Sequence, residues 1–256
     1  MKFLSLLFIE LKKIRRSKIL LILIIPVIIM WIPSIVNASM NFDVHDIPIT
    51  PENNFFIQGF MGMTWFMIPA TLVIATVLLT QTEQSQNGIL KMLSLPVSTI
   101  RLCLAKFIVI ILLTILQMLF CIITYYASAI IASQLQNYNF VLNPWFVCTN
   151  VLTLYLAAIP MAAVFWMLSV LVKTPIFSIG LGLASIVPSV LIINTKIWFA
   201  YPMSYPFYLL MIQYGKAATG IYSSQIDWFP WFPVSILITI LALILSCIRF
   251  GTLKKR

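Results

Sequence analysis

Six stretches of this 256-residue chain are apolar over about the length that a helix needs to cross a bilayer, near residues 19–37, 59–80, 107–133, 146–172, 176–195 and 231–249. A membrane span takes roughly 20 apolar residues, and a backbone inside hydrocarbon must satisfy its own N–H and C=O groups. A helix does this alone. The chain is therefore read as an all-α polytopic membrane protein with six transmembrane helices. Only 9% of its residues are charged, where a soluble domain carries about 25%, and the mean hydropathy is +1.06. None of the six stretches has an aspartate or glutamate in its interior. Pro26, Pro33, Pro69, Pro160 and Pro188 lie within them, and kinks are expected where neighbouring helices satisfy the freed backbone groups.

The net charge of +10 is read by location. With the N-terminus inside, cytoplasmic segments hold Lys2, Lys12, Lys13, Arg15, Arg16, Lys18, Lys91, Arg101, Lys106, Lys173, Arg249, Lys254, Lys255 and Arg256, and only Lys196 and Lys216 lie outside. That asymmetry places both termini inside, as an even number of spans requires, and makes the basic excess an orientation signal. No nucleic-acid partner is implied. Within residues 1–18, Phe3, Leu4, Leu7, Phe8, Leu11 and Ile14 recur at helical spacing, with Glu10, Lys12, Lys13, Arg15 and Arg16 in much of the remainder. This suits an amphipathic helix in the inner interface with its basic residues near anionic headgroups. A cleaved signal peptide ending at Val36-Asn37-Ala38 is the alternative. The apolar run from Ile19 to Val36 exceeds the usual h-region of about 7–15 residues and favours an uncleaved first span. Residues 250–256 form a basic cytoplasmic tail.

Residues 81–106 are the one long polar interruption on the cytoplasmic side. Gln81 to Gly88 contain no aliphatic side chain; Ile89 to Leu95 follow as a short apolar run, then Pro96, then a helix-like piece carrying Arg101 and Lys106. Such a stub can lie across the ends of two membrane helices and receive a push from another protein. Outside, residues 38–58 carry Asp43, Asp46 and Glu52 with no lysine or arginine. An acidic face attracts cations, although outer loops exclude basic residues in any case. Residues 196–230 are dense in aromatics from Trp198 to Phe229 and contain Pro202, Pro206 and Pro230, which suggests an interfacial or partly re-entrant helical element at the outer headgroups. In the fifth span, Ser178, Gly180, Gly182, Ala184, Ser185 and Ser189 give small-xxx-small spacings, which serve close packing either within the subunit or between subunits.

The central stretch resembles the coupling region of type-2 ABC-transporter permeases, the six-span half-exporters. The matching positions are Glu83, Gly88, Leu90, Leu93, Pro96-Val97-Ser98, Arg101 and Lys106; Ile89 departs from the threonine common after the glycine. The start resembles that family's connecting helix, with Glu10, Lys13, Arg15, Arg16 and Ser17 leading into the first span. The outer run Tyr201-Pro202-Met203-Ser204-Tyr205-Pro206 is similar to permeases of lantibiotic-immunity transporters. The resemblance implies a bacterial plasma-membrane subunit that works with two copies of a cytoplasmic ABC ATPase and a second permease, either a related subunit or itself. It would expel a membrane-active peptide for self-protection. ATP and magnesium would belong to the ATPase, so no cofactor is expected on this chain. Glu83, Gly88, Leu90, Met92, Leu93, Pro96, Ser98 and Arg101 would form the ATPase-coupling set.

Other classes meet obstacles in the residues themselves. Gly215-Lys216 lacks the upstream glycine and the Ser/Thr of a phosphate loop, so the chain does not hydrolyse ATP. An ion-coupled transporter needs intramembrane carboxylates or paired unwound helices. His45 is the only histidine, and with Asp43 and Asp46 it makes a poor metal cage. The four cysteines have no C-x-x-C pair and read as small buried hydrophobes. The absence of charge in mid-membrane suits an amphipathic peptide, another drug, or a lipid-like cargo; a non-energised membrane scaffold shares the topology but has no use for a stub. Gln117, Tyr125 and Asn150, with Thr114 and Thr124, are the polar side chains able to line a path, and interhelical hydrogen bonding is the competing role for each.

Overall fold

The computed structural model describes residues 3–15, 19–43, 48–84, 98–172, 174–218 and 225–252. All regular structure among them is helical, and six helices are long and apolar enough to cross a membrane. Helix α1 (Phe3–Arg15) precedes the first span, α2 (Ile19–Val36). The second span is built from α3 (Pro51–Gly62), a π-helical turn (Met63–Met67) and α4 (Ile68–Gln84); the third and fourth are single helices, α5 (Thr99–Gln136) and α6 (Pro144–Leu171). The fifth joins α7 (Pro175–Ile186) to the short α8 (Ser189–Ile192), and the sixth is α10 (Trp228–Thr252). Between them α9 (Tyr205–Ala217) packs on the fourth span and on the outer half of the second.

Two boundaries differ from the hydropathy reading. The second span starts at Pro51, not near residue 59. Proline at the first helical position and Glu52 in the first turn are both favoured at a helix start, so polar residues continue the helix outward. The third span starts at Thr99, not near 107, and its 38 residues extend about 57 Å at 1.5 Å each. The piece carrying Arg101 and Lys106 is thus the foot of the third span itself. Ser98 caps it by accepting a hydrogen bond from the Arg101 backbone N–H at 3.2 Å. At the other end Asn137 takes the left-handed conformation, with φ of 51°, which closes helices at little cost for asparagine.

The prolines act unequally. Pro69 follows the π turn; the widened turn makes room for a ring that would otherwise press on the carbonyl four residues back. Pro188 separates α7 from α8, whereas Pro26, Pro33 and Pro160 stay inside continuous helices. The first span packs chiefly on the third, the second on the fourth and fifth, and the sixth on the third and fourth. Near the outer end, Trp31, Phe55, Phe56, Phe60, Tyr125 and Phe140 form one aromatic core. Gly59 admits Trp31 there: a Cβ would lie 2.2 Å from a ring carbon.

The outer segment is anchored, not free. Trp198 stacks on Tyr208 at 3.7 Å and, with Tyr205, meets Trp231 at the start of the sixth span. Tyr201 donates its hydroxyl hydrogen to the Ser185 carbonyl, and Tyr205 donates to Phe199 O at 2.5 Å. In the fifth span Gly182 faces Val73 of the second span, where a Cβ would meet Cγ1 at 2.6 Å. Gly180 has nothing within 4 Å, so the small residues serve both an inner and an open face.

Candidate functional site at the foot of the third span

Helix α1 lies against the base of the third span. Leu6, Glu10 and Ile14 recur every four residues and are all buried, while Leu4, Phe8 and Ile9 are exposed. The sequence grouped Glu10 with the solvated basic residues and Leu4 and Phe8 with Ile14. The structure corrects both placements. Apolar side chains surround much of α1, so one stripe serves the third span and another is left for the bilayer interface.

The buried stripe carries an ion pair. Lys106, 1% exposed, donates from Nζ to Glu10 Oε2 at 2.6 Å, and Lys13 donates to Glu10 Oε1 at the same distance. Burial by itself raises the Glu10 pKa; the Lys106 charge, its hydrogen bond and the Lys13 hydrogen bond outweigh it, and the net shift is downward. The carboxylate is held ionised. Taking two charges out of water costs several kcal/mol per ion, so a buried pair is weak evidence for stability. What it provides is register: α1 can sit on the third span in the one position that leaves neither charge alone. Lys106 and Lys13 each make a further interaction.

Of the residues expected from the sequence, the structure brings Glu10 and Lys13 together with Lys106. Ser98 and Arg101 occupy the first turn of the same helix, with Arg101 pointing to solvent. The C-terminal end of the sixth span also reaches this corner: a Cβ on Gly251 would stand 3.4 Å from Thr99 Oγ1. Arg15 ends α1 and Glu83 lies in the last turn of α4; their side chains fall outside the description. Arg16, Gly88, Leu90, Met92, Leu93 and Pro96, like His45 and Asp46, lie outside the described residues. Lys106 was noted in the motif but not as a partner of Glu10, because the two are 96 positions apart.

The three path residues have distinct settings. Gln117, fully buried, donates from Nε2 to Thr71 Oγ1 at 2.7 Å, which links the third and second spans and leaves its Oε1 without a partner. Tyr125 donates to Phe140 O at 3.2 Å and accepts from the Leu142 N–H at 3.1 Å, closing the outer loop. Asn150 Oδ1 accepts from Gln213 Nε2 of α9 at 2.6 Å. Asn150 Nδ2 and Gln213 Oε1 are then left as a neighbouring donor and acceptor with no partner, and exchanging O and N in both amides leaves one of each again. Gln213 was not singled out from the sequence; a glutamine inside an aromatic outer segment was its only signal. Thr114 and Thr124 bond to carbonyls of their own helix, so they do not bridge helices.

A family model described as ABC-2 family transporter protein matches residues 6–189. No curated protein and no solved structure matches the chain.

Proposed function

The chain belongs to the ABC-2 family of transporter proteins, membrane permeases without a catalytic centre that pair with ABC ATPase subunits, and on that premise we propose that it is the permease of a bacterial plasma-membrane exporter for an amphipathic, membrane-active peptide. Two cytoplasmic ATPase subunits, which carry the ATP and magnesium, dock on the inner face, and the permease pairs with itself or with a related subunit. Residues 81–106 receive the motion of the ATPase, with Leu90, Met92 and Leu93 as apolar anchors, Glu83 in the last turn of α4 where the second span leads into the stub, and Pro96 setting the angle of the third span.

The observation that carries this reading is the Glu10–Lys106 pair. It joins α1 to the foot of the third span, the helix that follows the stub in sequence, so on this reading a push on the stub is passed to two elements together. The peptide cargo is supported by the absence of carboxylates in the interiors of the spans. Export of the peptide from the producer's own membrane is self-protection of the lantibiotic-immunity kind.

The test is ATPase stimulation and peptide export by the permease reconstituted with its cognate ATPase, for wild type, Glu83→Ala and Leu93→Ala. Loss of stimulation in both variants with intact folding is the expected result. Normal stimulation in both removes the stub as the energy input. Stimulation by a lipid-like drug but by no peptide moves the cargo to the other class.

A further inference from the structure

At the outer ends of the first two spans, the chain leaves α2, makes a 3-10 turn (Ala38–Phe42) and returns as α3. The space between these elements is a cavity of about 380 Å³ lined by Ser34, Asn37, Asn41, Asn54, Gln58 and Phe55, among others. We propose that this cavity is a recognition site for the backbone amides of a neutral or cationic peptide segment. The assignment deepens the peptide-export reading and rests on it for the source of the ligand.

The inner wall is built and fixed. Asn41 and Asn54 are buried; Asn41 donates to Ala38 O at 2.9 Å, and Asn54 donates to Asn41 Oδ1 at 3.0 Å. Ser34, Asn37 and Gln58 make no side-chain hydrogen bond to another described residue, so the open side of the cavity presents uncommitted hydroxyl and carboxamide groups. Each carboxamide offers donors and an acceptor in one plane, the complement of a peptide unit. Among the described residues no charged side chain lines the cavity.

Charge narrows the ligand further. From Ile19 to Leu90 the sequence has no lysine or arginine, which disfavours a phosphate or carboxylate ligand. Asp43 is exposed immediately after the turn, two positions beyond the lining residue Asn41, and brings a negative charge to this end of the chain's outer face. Glu52 is already engaged, accepting from the Tyr138 hydroxyl at 2.5 Å, so it is not a bare carboxylate waiting for a metal. Amide floor, apolar Phe55 side, the exposed Asp43 after the turn and the lack of basic residues from Ile19 to Leu90 together favour a short stretch of neutral or cationic peptide over an anionic headgroup. The volume is at the small end for ligand cavities, so the site holds a few residues and not a whole peptide.

The probe is a fluorescein-labelled, N-acetylated hexapeptide amide of glycine, alanine and two lysines, read by fluorescence polarisation against the full chain in lipid nanodiscs. Its depsipeptide analogue, with backbone N–H replaced by oxygen, and maltotriose serve as competitors. Asn37 and Gln58 are both exposed, so Asn37→Ala/Gln58→Ala preserves the fold. The expected result is saturable binding, competition by unlabelled peptide but not by the depsipeptide or maltotriose, and binding about tenfold weaker in the double variant, or ~1.4 kcal/mol. Absence of binding, an unchanged affinity in the double variant, or displacement by maltotriose overturns the site. Export by the ATPase complex is measured in parallel. Failure of export with variant-sensitive binding intact overturns the functional reading and leaves the site standing, whereas export with variant-insensitive binding does the reverse.

Discussion

The Glu10–Lys106 pair makes the sharpest energetic prediction, because both charges are buried and their contact is direct. At an effective dielectric of about 20, two unit charges 4 Å apart attract by about 4 kcal/mol. Removing one member of a buried pair costs about 3–5 kcal/mol, most of it the penalty of the charge left behind. Glu10→Gln strands the Lys106 ammonium, which retains its further interaction, so the lower end, about 3 kcal/mol, is expected. Lys106→Met leaves Glu10 with Lys13, whose side chain is 38% exposed, and about 2 kcal/mol is expected. The double variant removes both members of the contact and should lie within about 1 kcal/mol of wild type, closer than either single variant. Reversible unfolding in mixed micelles gives the cycle, with an expected coupling energy of about 4 kcal/mol. The pH dependence has a definite sign. The folded pKa of Glu10 is lowered, so its contribution is fully present above the unfolded glutamate value and is lost as pH falls through the folded value. Wild type should lose stability on acidification through that window, and Glu10→Gln should lack this component. Additivity of the two single variants within about 0.5 kcal/mol would refute the pair as the fastening of α1.

Three further perturbations separate packing from transport. Gly182→Ala forces a Cβ to within 2.6 Å of Val73, a stiff β-branched side chain, and should cost about 1–3 kcal/mol, whereas Gly180→Ala meets nothing and should not destabilise; equal melting temperatures for the two would contradict the described seating of the fifth span. Tyr125→Phe strips the hydroxyl that serves Phe140 O and the Leu142 N–H, at about 1–3 kcal/mol, and the loss should appear in thermal unfolding. Gln117→Leu removes a bond whose amide oxygen is already unpartnered and should change stability by less than about 1 kcal/mol; reduced peptide export at equal stability supports a place on the path, and unchanged export removes it.

The six spans were legible because hydrocarbon imposes a length and a polarity on each, and no tertiary partner is needed to see that. Helix ends were not. Residues 51–58 are polar enough to read as loop, and 99–106 read as a helix-like piece of the stub apart from the third span, yet Pro51, Glu52 and the Ser98 cap carry the helices past the apolar boundary. Glu10 shows the limit more plainly. On α1 alone it falls among basic residues and reads as solvated; only the placement of Lys106 next to it makes burial affordable. The Asn150–Gln213 pair is separated by 63 positions, and neither residue has a local pattern that points to the other. Conversely, the run from Tyr201 to Pro206, quoted as a sub-family motif, turns out to be largely buried, with both tyrosines bonded to backbone carbonyls. Its residues fasten the outer segment, so the run has a packing role that its composition alone did not display.

The two spans that flank the stub are mechanically unlike, and this bears on what a push there could do. The third runs uninterrupted from Thr99 to Gln136, fixed to α1 at its foot and tied into the outer aromatic core through Tyr125. Displacing its foot therefore moves α1 with it and is transmitted along the whole helix. The second changes its winding at Met63–Met67, just before Pro69. Its outer half is held by Trp31 and by α9, while its inner half packs on the fourth and fifth spans. A widened turn next to a proline lacks part of the hydrogen-bond ladder and is the natural place for a helix to bend. Under the proposed coupling, the inner half of the second span would then swing about the π turn while the third moves as a body. The Gln117–Thr71 bond joins them on the inner side of that turn, so it lies where the two motions must stay in step.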